Sequence, residues 1–288
     1  MTNGKKIFFL GPQTSYTDAA KELFKKCLNL EGYIDVPKHT ITAAAGELAA
    51  SAGSGALAVL PVENSIEGFV KETVDNISRI PDKNIKILAE CVIPINHCLI
   101  SYTDDLKNIK TVTSHPQAIS QCFGYIQAAF GGNVVYKSDS STANAVKNLS
   151  LNDKTSAVIG SRYSAEFYSK PIIAENINDE KFNQTRFILV GENPFDIKSN
   201  EYKTSITFST ENKSGALCEI LKILQKYEIN MSSIFSRPSK KILGEYSFYI
   251  DFDGRLTDDK SAKALFEILQ HVKMFKHLGT YFLCNGRK

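Results

Sequence analysis

At 288 residues, 43% of them hydrophobic, the chain can fill the cores of one large or two ordinary domains, which argues against disorder. Its 34 Lys+Arg against 31 Asp+Glu leave a net charge of +3, with like charges in pairs such as Lys5-Lys6, Lys25-Lys26 and Lys240-Lys241 rather than in blocks, so a nucleic-acid partner is excluded. The apolar stretch 56–62 is far short of the ~20 residues of a membrane span, and the run 7–10 stops at Gly11-Pro12, too early for a signal peptide; a cytoplasmic protein without membrane contact is expected. The six cysteines (Cys27, Cys91, Cys98, Cys122, Cys218, Cys284) form no C-x-x-C pair and have no histidine at zinc-finger spacing. They are expected to be reduced and mostly buried, with no metal site.

Through the first two thirds, short runs rich in Val, Ile and Phe alternate with helical patterns, the mark of βα units around parallel sheets. Strands are predicted over 7–10, 56–60, 110–113, 134–137, 156–159 and 187–190, and helices are predicted to start near Ser15, Asn64, His115, Thr142 and Ser161. The stretch 85–100 holds two apolar runs with no helical gap and is read as the chain crossing between two subdomains. Residues 191–201 are polar and turn-rich, a linker that divides a first domain, 1–192, from a second, 203–284. In the second, 204–209 reads as a strand, and Ala216, Leu217, Ile220, Leu221, Leu224 and Tyr227 share one helical face. Strands follow over 231–235 and 245–252. In the latter Tyr246, Phe248, Ile250 and Phe252 alternate with Ser247, Tyr249, Asp251 and Asp253, which predicts one wet face. A helix with Ala262, Leu265, Phe266, Leu269 and Val272 on one side and a strand over 280–283 complete a βαββαβ order, with helices on one side of an antiparallel sheet.

The strand-to-helix junctions of the first domain carry hydroxyls and amides. Ser15 with Asp18, and Asn64 with Glu67, have capping-box spacing; Pro116 suits a first helical position, and Ser140-Ser141-Thr142 offers three hydroxyls before an Ala-rich helix. Each alone is an ordinary cap. Several at the same ends of parallel strands would aim free N–H groups and positive dipole ends into one crevice, where an anion is the natural occupant.

Six segments resemble, in order, those of the prephenate dehydratase family. They are Gly11-Pro12-Gln13-Thr14-Ser15-Tyr16-Thr17, Pro61-Val62-Glu63-Asn64-Ser65-Ile66-Glu67-Gly68, Ser114-His115-Pro116-Gln117-Ala118, Ser141-Thr142-Ala143, Ala157-Val158-Ile159-Gly160-Ser161 and Asn183-Gln184-Thr185-Arg186-Phe187. The resemblance implies an α/β fold: a two-lobed catalytic domain like a type II periplasmic binding protein, then a ferredoxin-like ACT regulatory domain. It implies that prephenate, held between the lobes, loses water and carbon dioxide to give phenylpyruvate, with no metal or organic cofactor.

On the same ground Thr185 is the expected catalytic residue, with Glu63 and His115 as titratable neighbours because a hydroxyl is a poor acid by itself. Substrate contacts are expected from Ser15, Thr17, Asn64, Ser65, Gln117, Thr142, Ser161, Arg186 and Phe187. Strand alternation qualifies this set: if Thr185 and Phe187 face the cleft, Arg186 points away, and a structural ion pair competes with a ligand role. His115 has a helix-start role as its competitor, and His39, His97, His271 and His277 show no ligand pattern. Gly215-Ala216-Leu217 with Leu221, and Ser236-Arg237-Pro238, resemble the phenylalanine-binding motifs of the attached ACT domains. L-phenylalanine is thus the expected effector and a homodimer or homotetramer the expected assembly. Two departures stand out. Thr14 replaces a family glycine, and Phe235 replaces a glutamate, removing a carboxylate partner for Arg237 or for a ligand ammonium. Arogenate dehydratase and a non-catalytic amino-acid-sensing protein are the competing readings. A fused chorismate mutase is not expected, because no helical segment precedes residue 7.

Overall fold

In the computed structural model, which describes residues 4–81, 84–197, 199, 201–238 and 246–284, the elements follow in chain order. They are β1 (Lys6–Leu10), α1 (Tyr16–Leu28), β2 (Ile34–Lys38), α2 (Ile41–Ala50), β3 (Leu57–Asn64), β4 (Gly68–Phe69), α3 (Lys71–Arg79), β5 (Lys86–Pro94), β6 (Cys98–Ser101), β7 (Thr111–Ser114), α4 (Pro116–Gln121), α5 (Phe123–Phe130), β8 (Val135–Ser138), α6 (Thr142–Asn148), β9 (Ser156–Gly160), α7 (Arg162–Phe167), β10 (Ile172–Ala174), β11 (Gln184–Gly191), β12 (Lys203–Ser209), α8 (Ala216–Lys226), β13 (Met231–Pro238), β14 (Tyr246–Asp253), α9 (Asp259–Ile268) and β15 (Met274–Leu283). Runs such as Ile7-Phe8-Phe9 and Ala58-Val59-Leu60 are buried on both faces, so helices must cover both sides of their sheet. Helix α1 packs over Ile7, Phe9 and Val59, while α2 and α3 pack over Phe8, Ala58 and Leu60.

Lobe 1 is the order β5-β11-β3-β1-β2, with β4 on β3; lobe 2 is the order β10-β6-β9-β7-β8. As expected from its two apolar runs, the 85–100 stretch serves both sheets, with β5 in the first and β6 in the second. The returning strand β11 lies antiparallel to both β3 and β5, and β6 lies antiparallel to β9 and β10, so the sheets are mixed rather than parallel. The reason is geometric: a strand arriving from the other lobe enters its sheet from the opposite end.

Other sequence expectations change as well. β2 and α2 were not anticipated, because β2 is an exposed edge strand carrying Pro37 and α2 is Ala-rich with little polar contrast. No helix starts at Asn64, which ends β3. Its Oδ1 accepts from the N–H groups of Ile66 and Glu67 at 3.0 Å each, a cap-like turn with no helix behind it. Cys27 and Cys284 are not reduced but joined by a disulfide, Cα–Cα 6.1 Å, whereas Cys91, Cys98, Cys122 and Cys218 are free. In α9 the covered face is Ser261, Ala264 and Ile268, and Phe266 and Leu269 stand exposed.

The βαββαβ unit has the order β13-β14-β12-β15, all antiparallel, with α8 and α9 closing a core around Phe208, Ile220, Ile250 and Phe252 on one face. The strand expected over 245–252 is β14; Glu245 lies outside the described residues. Of its predicted wet face, Asp253 is exposed and Ser247 half-buried, but Tyr249 is 1% and Asp251 0% exposed, because the middle of this face is pressed against lobe 1. Phe69 of β4 stacks on Phe235 at 5.0 Å and meets Tyr249 edge-on at 5.8 Å. The Lys276 ammonium donates to the Ile77, Ser78 and Ile80 carbonyls at the C-terminus of α3, at 3.0, 3.0 and 2.7 Å.

Strand β15 then leaves the second domain's sheet and pairs in parallel with β5, Phe282 opposite Ala89 and Leu283 opposite Glu90, fusing the two sheets into one. This close approach needs Gly279: a Cβ there would overlap the Ile87 carbonyl oxygen and lie 2.8 Å from the Ile87 nitrogen. Gly279→Ala is therefore expected to destabilise the protein by about 2 kcal/mol or more, measured by urea unfolding, since backbone rather than a flexible side chain must yield.

Candidate active site

Between the lobes lies a cleft of about 1370 Å³. Ser15, Thr17, Asn64, His115, Gln117, Thr142, Thr185 and Phe187 all line it. The starts of three helices meet there. Ser15 caps α1 by accepting from Asp18 N–H, His115 Nδ1 caps α4 by accepting from Gln117 N–H, and Ser141, one residue before the expected start, caps α6. The lining carries one lysine, Lys38, whose ammonium is paired with Glu47 at 2.7 Å. An anion in the cleft therefore meets mainly neutral donors.

Four expected site residues are elsewhere. Ser161 caps α7, accepting from Ser164 N–H. Ser65 ties the turn after β3 to β11, its hydroxyl donating to Phe182 O and accepting from Gln184 N–H. Arg186 and Glu63 are turned to the back of the sheet, for a reason visible in the register. Thr185 faces Asn64 and Arg186 faces Glu63, but Phe187 faces Pro61, so Val62 is the extra residue of a β-bulge. Alternation puts Asn64 and Thr185 on the cleft side and their neighbours Glu63 and Arg186 on the other, and the bulge brings Pro61 back to the cleft side, so Glu63 is not a proton donor in the cleft and Arg186 not a substrate ligand.

On the cleft side, Asn64 Nδ2 donates to Thr185 Oγ1 at 2.9 Å and to Asn183 Oδ1 at 2.7 Å. Because Asn64 Oδ1 is occupied by two backbone N–H groups, the amide orientation is fixed with its NH₂ toward Thr185. Thr185 thus accepts from Asn64, and its own O–H is left to point elsewhere. The network continues: Asn183 Nδ2 donates to Gln121 Oε1 at 3.1 Å, and His97 Nε2 lies 3.2 Å from the same oxygen, so it is the protonated ring nitrogen. Asn183, Gln121 and His97 lie outside the expected set of site residues; Asn183 heads the matched T-R-F segment, while Gln121 and His97 carry no sequence signal.

The loop before α1 shows how the Thr14 departure is accommodated. Thr14 adopts φ 68, costly for a β-branched residue, and is 1% exposed. Its N–H donates to Asp18 Oδ2 at 2.8 Å and its hydroxyl meets Ser164 Oγ of lobe 2 at 2.7 Å, so the left-handed turn is kept and gains a bond across the lobes.

Behind the cleft, Arg186 binds Glu63 at 3.1 Å, Glu90 at 3.1 Å and Asp251 of the second domain at 2.7 Å. Burial alone would disfavour its charge, but Asp251, the neighbouring tyrosines and Glu90 outweigh this and hold it firmly protonated. Lys203 adds a second cation on Glu90 at 2.7 Å. Removing one member of such a buried group costs on the order of 3–5 kcal/mol, because an uncompensated charge stays behind.

Of the effector residues, Gly215 caps α8 at φ 84 with open space where a Cβ would stand, Ala216 is buried and Leu217 half-buried. Ser236 and Pro238 are exposed on β13, the end strand of the sheet. Arg237 is turned from them and grips Asp75 of α3 with two bonds, 2.9 and 2.7 Å, so it is a domain-docking residue rather than a free effector contact. Asp75 stands in for the carboxylate that Phe235 lacks.

His97, 2% exposed, is pushed down to about 4 by burial. The folded protein then holds it neutral while the unfolded chain takes up a proton, so its contribution is full above about pH 6.5 and is lost as pH falls toward 4, roughly 3 kcal/mol in all. Urea unfolding across this range should show the wild type losing about that much more stability than His97→Gln.

The comparisons agree with this geometry. Residues 7–195 match the prephenate dehydratase family and residues 204–270 the ACT domain family. The prephenate dehydratase of Methanocaldococcus jannaschii is 40% identical over 280 residues, 96% of this chain and 98% of that protein. That of Lactococcus lactis subsp. cremoris is 31% identical, covering 96% and 97%. The crystal structure of prephenate dehydratase from Arthrobacter aurescens in complex with L-Phe has a TM-score of 0.84 at 30% identity, covering 98% of this chain and 91% of that one. Built on two mixed lobes with a βαββαβ unit fused to the first, the chain belongs to the prephenate dehydratase family and carries an ACT domain.

Proposed function

We propose that the chain is a carbon–oxygen lyase converting prephenate to phenylpyruvate, on the strength of one observation above all: Thr185, in the wall of an anion-suited cleft, has its oxygen engaged by Asn64 and its proton free. Prephenate carries two carboxylates, which fit helix starts and neutral donors without a buried unpaired cation. In the reaction the ring carboxylate's C–C bond breaks and supplies the electron pair that completes the aromatic ring, while the C–O bond to the ring hydroxyl breaks. Carbon dioxide and, after uptake of one proton, water depart. Thr185 donates a hydrogen bond to the departing oxygen as negative charge grows there, and a positioned donor of this kind is worth about 10²–10³ in rate. The proton itself comes through a titratable group. With Glu63 engaged by Arg186, His115 is the remaining member of the expected pair on the cleft wall; its Nδ1 accepts from Gln117, so its Nε2 carries the proton. Ser15, Thr17, Gln117 and Thr142 hold the carboxylates, and Phe187 supports the ring. The reaction as written needs no metal or organic cofactor.

L-Phenylalanine is the effector in this reading, bound between the Gly215 turn of α8 and the exposed side of Ser236–Pro238. Strand β13 has one paired neighbour, β14, and an open edge where a second copy of the chain would add, giving a homodimer that can pair again to a homotetramer. The four free cysteines, three of them buried, suit a cytoplasmic setting, against which the Cys27–Cys284 disulfide stands, and no helix among the described residues is long and apolar enough to cross a membrane.

Purified protein offered prephenate and arogenate separately should release phenylpyruvate from the first and little phenylalanine from the second; turnover of neither by folded protein would favour the amino-acid-sensing alternative. Thr185→Ala and Thr185→Val should lower kcat about 10²–10³-fold with the unfolding midpoint nearly unchanged. Gly215→Val, forced into a left-handed turn, should weaken phenylalanine binding about tenfold or more by calorimetry.

A further inference from the structure

We infer that Asp251 of the ACT domain is a positioning residue for the Thr185–Asn64 pair, acting through Arg186 and Glu63, so that the seating of the regulatory domain sets the rate in the cleft. The inference rests on the reaction proposed above and adds the residue through which that reaction is governed.

Two adjacent strands carry both halves of the device. On the cleft side of β11 and β3, Thr185 and Asn64 are directly opposed; one residue along, on the reverse side, Arg186 and Glu63 are directly opposed. The front pair is joined by a 2.9 Å hydrogen bond and the rear pair by ion-pair contacts of 3.1 and 3.2 Å. Each catalytic-side residue is thus covalently next to a member of the rear pair, and the guanidinium that joins the rear pair is gripped at 2.7 Å by Asp251.

Asp251 is itself fixed by the regulatory domain. It is 0% exposed, and its second oxygen accepts from Ser205 Oγ at 2.5 Å, which in turn meets Tyr281 OH at 2.7 Å and Tyr249 OH at 3.1 Å. Every member of that cluster sits on β12, β14 or β15. Strand β14 is also the ladder partner of β13, on which Ser236 lies opposite Phe248 and Ser233 opposite Asp251. A ligand that moves β13 is therefore coupled to Asp251 through the β13–β14 ladder, alongside the direct contacts of β13 with lobe 1 at Phe69 and Asp75. Mere gluing of domains would not require the charge to be delivered to the two residues flanking the reacting pair; other contacts, such as Lys276 on the end of α3, glue without touching either strand.

The test uses the full chain and prephenate. Once wild-type turnover is established, Asp251→Asn is expected to lower kcat about tenfold with KM within about twofold, since small misplacements of a reacting group cost rate rather than binding. Its phenylalanine inhibition curve should flatten or shift at least about threefold. Lys276→Met should lower the unfolding midpoint while leaving kcat and the inhibition curve as in wild type. Equal kcat and inhibition for Asp251→Asn and wild type, compared at equal folded fraction, overturns the inference, as does an equal fall in kcat for Lys276→Met. If Asp251→Asn does not fold, Ser205→Ala takes its place, because it frees Asp251 while keeping the ion pair; unchanged kcat and inhibition there overturn the inference in the same way. Lack of prephenate turnover by the wild type overturns the reaction assignment and the inference together, so the two failures are distinguishable.

Discussion

The buried guanidinium of Arg186 is the constraint on which the architecture turns. Three carboxylates from three different strands, Glu63, Glu90 and Asp251, converge on it, and Lys203 balances part of the excess negative charge. Taking so many charges out of water is favourable only if each is met with good geometry, and among the described residues no buried side-chain nitrogen or oxygen lacks a partner. That requirement fixes the βαββαβ unit against lobe 1 in one orientation. It also explains why strands β12 and β14 carry polar residues on a face that apolar packing alone would have filled.

Polarity misled the sequence reading at this face. Alternation in 245–252 separates the two sides correctly, but Tyr249 and Asp251 of the expected wet side form a buried network with Ser205 and Tyr281. Alternation alone cannot tell water from a polar interface. The same rule succeeds on β11, where it turns Arg186 from the cleft because Thr185 and Phe187 face it. Applied to β3, the rule also separates Glu63 from Asn64, which are consecutive and so face opposite sides; the bulge at Val62, which no local sequence feature announces, changes the phase only from Pro61 back. Edge strand β2 and Ala-rich α2 escaped for lack of contrast, whereas the doubly buried strands and the Ser15, His115 and Ser161 caps were legible from composition and spacing.

The family and its two-domain build were readable from six ordered motifs, and the comparisons agree with both. What motifs could not convey is which matched residues touch the cleft. In the Pro61–Gly68 segment the asparagine lines the cleft while the glutamate beside it lies at the domain junction. In the T-R-F segment the threonine and phenylalanine line the first and the arginine lies at the second. Motif letters record that a position matters; the register decides to what.

The bridge between Cys27 and Cys284 gives the chain an unusual topology, because it spans 257 positions of sequence and so closes nearly all of the polypeptide into a covalent ring. In its oxidised form a single proteolytic nick anywhere within that ring produces no fragments: both pieces stay tethered, next to their native neighbours, until a reductant opens the link.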